Sequence, residues 1–255
     1  MLILLSPAKT LDFDNARIIK QKSYPEFPKQ AAELVSILKK FDTKALMELM
    51  KISPKLASLN VERFKTWQHL PDENSMRQAI CAFSGDVYTG LQVADWDNAD
   101  FEFSQEHIRI LSGLYGVLRP LDYISPYRLE MGTKLHTKRG ENLYQFWNDT
   151  LTKNIQNQLK IQGDDVLLNL ASNEYFKAIQ TKKLKARIIS PQFKDAKNGQ
   201  YKLISFFAKK ARGMMARFVV KNQITQLEKL KEFNDGGYYF NDRLSKGEQW
   251  VFTRD

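Results

Sequence analysis

The chain opens Met1-Leu2-Ile3-Leu4-Leu5-Ser6-Pro7-Ala8-Lys9-Thr10. Its apolar run is far shorter than the roughly 20 residues a membrane span needs. It also lacks the basic flank and cleavage site of a secretory signal. We therefore read it as a first β-strand, ended by Ser6-Pro7 and followed by a polar loop. Further runs of strand length stand at Val166–Leu170, Arg187–Ser190 and Tyr201–Ser205. A closing pair near Tyr238–Asn241 and Gln249–Thr253 flanks Lys246-Gly247, which predicts a terminal hairpin. Helical periodicity is read over Phe27–Lys40, Lys44–Met50, Pro54–Trp67, Ile108–Tyr115, Leu143–Lys160, Glu174–Thr181 and Phe206–Gln223. This mixed order, with long irregular connections, predicts an α+β (mixed α/β) fold with a mixed sheet rather than a strictly alternating doubly wound one. No repeat or linker divides the 255 residues, so a single domain over 1–255 is expected.

The lone cysteine, Cys81, excludes an intrachain disulfide and suits a reducing, cytoplasmic setting. The net charge of +10 is unevenly placed. From Tyr175 to Lys231 there are 15 Lys/Arg against only Asp195 and Glu228. From Asp72 to Glu106 there are eight acids against Arg77 alone. A concentrated basic segment points to a polyanion, because neutralised phosphates release condensed counterions. Solubilising lysines are the plainer alternative.

The segment 42–67 is read as helix, short hairpin and helix. Asp42 or Thr43 caps the first helix, with Leu46, Leu49 and Met50 on its apolar face. Lys51-Ile52-Ser53 breaks the chain, and Pro54 suits the first turn of the second helix. Leu56, Leu59, Phe64 and Trp67 are expected on one side of it. The join resembles the helix-hairpin-helix DNA-binding motif, in which backbone N–H groups face a phosphate. Lys51, Ser53 and Lys55 are the candidate contacts. This chain has Lys51 and Ser53 where that motif usually places glycine, so an ordinary αα-hairpin stays open as the alternative.

Ser205–Phe218 projects as an amphipathic helix. Phe207, Ala208, Ala211, Met214, Met215, Phe218 and Val219 share one side, while Lys209, Lys210, Arg212, Arg217 and Lys221 share the other. The basic side has no acids on the same helix to interleave with it. Sites gather outside strand ends, and the loops expected there are Ser6–Thr10, Ala171–Tyr175 and Ser190–Asp195. In them Lys9, Lys194 and the hydroxyls of Ser6 and Thr10 suit a phosphate, though Ser-Pro is also a plain turn signal. The segments Phe83–Leu91 and Leu111–Gly132 are dense in Gly, Tyr, Arg and Asp, and are read as irregular backbone. Asp86, Asp122, Glu130 and Asp195 are the candidate acids for catalysis, with Lys9, Arg128 and Lys194 to hold phosphate. Structural ion pairs are the alternative there. His69, His107 and His136 are scattered and have no cysteine partner near them, so neither a metal nor another cofactor is expected. Walker-type loops and serine-hydrolase elbows are absent from the sequence.

Taken together, Leu5–Thr10, Phe83–Leu91, Leu111–Gly132, Leu143–Trp147, Asn169–Tyr175, Ser205–Phe218 and the ending from Gly237-Tyr238 to Trp250-Val251-Phe252 are similar to the YaaA family of bacterial peroxide-stress proteins. That resemblance spans nearly the whole chain. It implies an α/β unit of unusual topology with an embedded helix-hairpin-helix and a basic, DNA-binding cleft. It also implies DNA protection during hydrogen peroxide stress, linked to limiting free intracellular iron. The expected function is DNA-backbone binding with low sequence specificity and no membrane partner. The expected contacts are Lys9, Lys51, Ser53, Lys55, Arg128, Lys194, Lys209, Lys210, Arg212 and Arg217. An enzyme acting on nucleic acid or a phosphorylated substrate is the rival reading.

Overall fold

The computed structural model describes residues 1–14, 19–68 and 73–255. Leu2–Leu5 (β1), Ile108–Ser112 (β2), Gly116–Leu118 (β3), Val166–Asn169 (β4) and Arg187–Ile189 (β5) form a five-stranded sheet in the order β3-β2-β1-β4-β5. β1 is its centre, pairing in parallel with β2 through Ile3–Ile108 and with β4 through Ile3–Leu168. Only β3 runs antiparallel, so the sheet is mixed. All four β1 side chains are fully buried, which requires cover on both faces of the sheet and explains the unbroken apolar run.

Gln192–Lys197 (β6), Gln200–Lys202 (β7), Tyr239–Phe240 (β8) and Val251–Arg254 (β9) form a second sheet in the order β7-β6-β9-β8. β8 and β9 are antiparallel, with Lys246 bridged to Gln249 at the turn, as the hairpin reading expects. Phe193, Phe233, Tyr238 and Phe252 pack as ring pairs on this sheet.

The helices that matter here are Pro28–Leu38 (α1), Thr43–Met50 (α2), Pro54–Thr66 (α3), Asp86–Leu91 (α4) and Asn98–His107 (α5). They are followed by Leu143–Trp147 (α6), Thr150–Gln162 (α7), Asn173–Phe176 (α8) and Ser205–Lys221 (α9). Asp42 caps α2 by accepting from Ala45 N at 2.8 Å. Ser53 caps α3, with Pro54 in its first turn.

Several expectations are corrected. Ile108–Tyr115 is not a helix: its first five residues are the buried strand β2, followed by a tight turn. A short apolar run reads equally as buried helix or buried strand, and here its pairing with β1 decides. Leu143–Lys160 is two helices, α6 and α7, broken where Asn148 takes a φ of 43°. Ser190–Asp195 is largely strand β6 rather than loop, and Phe83–Leu91 contains helix α4. On α3 the buried stripe is Ala57, Asn60, Val61 and Phe64, while Leu56 and Leu59 stay 38% and 45% exposed. The i, i+3, i+4, i+7 spacing of the first set makes it the true inward face.

Candidate functional site

In this sheet the chain leaves β1 toward β2 on one side and later returns to β4 on the other. The strand order therefore reverses between β1 and β4. Loops leaving the carboxyl ends of two such strands diverge and open a crevice. Here Ser6–Thr10 leaves β1 and Leu170–Tyr175 leaves β4, and both line a cleft of about 440 Å³. Ser84–Tyr88 supplies another wall, and Lys209 and Arg212 reach in from α9. The floor is fixed by hydrogen bonds. Ser172 N donates to Ser6 Oγ at 2.8 Å, and the Tyr88 hydroxyl donates to the Ser6 carbonyl at 3.1 Å. Burial pushes the Tyr88 and Tyr175 phenols far above their ordinary range, so both rings stay neutral walls.

Helix α9 owes its position to two glycines. A Cβ on Gly213 would lie 1.8 Å from Val87 O, and one on Gly90 would lie 2.1 Å from Lys210 O. Only glycine lets α4 and α9 touch backbone to backbone. That approach sets Lys209 and Arg212 over the strand ends. Lys209 Nζ lies 3.9 Å from Asp86 Oδ2. Arg212 is half-buried, and burial lowers its guanidinium pKa. Among the described residues no carboxylate stands in ion-pair contact with Arg212. A desolvated, uncompensated guanidinium facing a cleft is a ready anion ligand.

A second groove, about 640 Å³, adjoins the cleft at Glu174, which lines both. It is bounded by Met50 and Lys51 of the helix pair and by Glu130. Glu174 accepts from Gly132 N at 2.9 Å. Lys9 bridges cleft and groove through Glu130 at 2.8 Å, and Arg128 holds the other oxygen of that carboxylate at 2.9 Å. Lys9, Lys209 and Arg212 thus line the cleft, and Lys51 lines the groove beside it.

Other candidates lie elsewhere or are engaged. Ser53 spends its hydroxyl on the α3 cap, and Lys55 is exposed on that helix's first turn. Lys210 is exposed beside the cleft without lining it. Lys194 alternates with buried Phe193 and Asp195 along β6, so it points to the opposite face of that sheet. Arg217 pairs with Asp95, and Lys221 with Asp100 at 2.7 Å. The basic side of α9 therefore does have an acidic counterpart, supplied by the acidic tract rather than by its own helix. The opposite biases of 72–106 and 175–231 are the sequence signal for that docking.

The four acids do not converge. Asp86 lines the cleft, and Glu130 lines the groove. Asp122 is fully buried, bound by Ser23 Oγ at 2.6 Å and by Arg119 N at 2.8 Å. Burial raises its carboxyl pKa, while Arg119 pulls it down. Asp195 is held on the second sheet by Arg254 Nε at 2.7 Å and by the Tyr238 hydroxyl. Glu174, Ser172, Tyr175 and Tyr88 line the cleft as well. Their segments stand out, but nothing in the sequence chooses them individually.

Among the described residues no group of three or more His, Cys, Asp or Glu is placed to hold a metal ion. His69 lies outside the described residues, and no described helix is long and apolar enough to cross a membrane. A family model described as Peroxide stress protein YaaA matches residues 1–244, nearly the whole length.

Proposed function

The chain belongs to the peroxide stress protein YaaA family, and we propose that it serves peroxide defence by gripping the phosphate backbone of DNA. One observation carries this reading: Arg212 is half-buried in the cleft, and among the described residues no carboxylate pairs with it. Lys209 and Lys9 share their charge with Asp86 and Glu130 and complete the cationic wall. Lys51 and Lys55, with the helix-hairpin-helix-like turn at 42–67, supply a second stretch of backbone binding. Lys210 and Arg128 flank the path. Such interactions orient a nucleic acid without reading its sequence. The link to intracellular iron belongs to the same reading as an indirect consequence of the stress role.

The proposal is tested by measuring duplex DNA affinity over a salt series for several unrelated sequences. Affinity falls with a log–log slope of about −0.9 per phosphate neutralised. Charge reversal at Lys209 and Lys210 weakens all sequences alike. Structured RNA competing better than duplex DNA at fixed salt would reassign the partner, and a salt-insensitive affinity would reject the reading.

A further inference from the structure

We infer that the crevice between the ends of β1 and β4 is a site for one phosphate monoester on a hydroxylated sugar, the size and chemistry of a single nucleotide. It rests on the proposed function only in treating Arg212 as a phosphate ligand. Four features point this way.

The crevice sits at the strand-order reversal, where open parallel sheets place small ligands. Its volume of about 440 Å³ falls in the range of small-molecule pockets, roughly 300–1,000 Å³. Its charge is mixed: Asp86 and Glu174 share the pocket with Lys209 and Arg212. A polyanion threaded through would meet both carboxylates, whereas sugar hydroxyls would donate to them. Lastly, a terminal phosphate carries close to two charges and three free oxygens near neutral pH. It matches an uncompensated guanidinium better than an internal diester with one charge does.

In this arrangement Arg212 and Lys209 hold the phosphate, with the Thr10 and Ser84 hydroxyls beside them. Asp86 accepts from the sugar, and the Tyr175 ring forms the apolar wall. The monoester can come from a free nucleotide or from the phosphorylated end of a strand.

The test is calorimetric titration of the full chain with AMP, adenosine and inorganic phosphate, followed by Arg212→Gln and Asp86→Ala. AMP binds and adenosine does not; Arg212→Gln weakens AMP at least tenfold. Asp86→Ala weakens AMP but leaves inorganic phosphate unchanged or tighter, which a merely structural role would not produce. No AMP binding at millimolar concentration, equal binding of adenosine, or indifference to Arg212→Gln overturns the site. Should Arg212→Gln fail to fold, the AMP–adenosine comparison on the unaltered chain decides alone. Single strands bearing a 5′-phosphate or a 5′-hydroxyl separate the two sources. A preference for the phosphorylated end assigns the site to strand ends, while equal strands with AMP bound assign it to free nucleotides; either outcome supports the site. Duplex binding without AMP binding overturns this inference and spares the proposed function. AMP binding without duplex binding does the reverse.

Discussion

Gly213 and Gly90 are the point where helices α9 and α4 touch, each glycine lying against the other helix's backbone. The pair fixes the height of Arg212 above the ends of β1 and β4. Gly213→Ala must push the helices apart, because its Cβ would meet Val87 O at 1.8 Å. We predict a stability loss of about 1–3 kcal/mol, as for other overpacked interiors. Denaturant unfolding checks it: the midpoint falls while the slope is unchanged. An unchanged midpoint would mean that the two helix backbones do not touch.

Lys51 ends α2 with a φ of 53° and a ψ of 52°, the left-handed region that glycine occupies without penalty. A non-glycine residue there costs about 1 kcal/mol. Lys51→Gly is therefore expected to stabilise the fold by up to about 1 kcal/mol. It also removes one proposed phosphate ligand, so the salt slope of DNA binding should become shallower by about 0.9. Higher stability with weaker binding is the signature; a fall in both contradicts it.

His107 stacks on Phe103 and donates its Nδ1–H to Met1 O at 2.8 Å. Burial lowers its pKa below the ordinary 6.5. The folded state thus binds this proton less readily than the unfolded chain. The stability it contributes is complete above pH 6.5, and is lost as pH falls through that value toward the folded pKa. His107→Gln should flatten the stability change between pH 7.5 and 5 relative to the unaltered chain. An identical pH profile would rule the histidine out.

Arg217 is held by Asp95, both partners being partly exposed. Such a pair contributes little, so Asp95→Asn should change stability by less than about 1 kcal/mol. It frees a cation on the basic helix, however, and should tighten DNA binding with a steeper salt slope. Unchanged binding would place Arg217 outside the DNA path.

Legibility follows the physics of each signal. Strands with their own turn chemistry, such as the hairpin around Lys246-Gly247, are readable locally. The identity of Ile108–Ser112 is not, because its pairing with β1 lies more than a hundred residues away. The helix carrying Lys209 and Arg212 is readable from its period, but the partners of that helix are not. Only folding shows that Lys209, Arg217 and Lys221 meet Asp86, Asp95 and Asp100, while Arg212 has no acid paired with it among the described residues. Lys194 and Asp195 read as one loop in the sequence, and strand alternation sends them to opposite faces.

The most direct test is a salt series of duplex DNA affinity for the unaltered chain and for Arg212→Gln, side by side. Arg212→Gln is expected to bind more weakly at every salt concentration, with a slope shallower by about 0.9 because one phosphate is no longer neutralised. Equal affinities and parallel slopes for the two proteins would contradict it.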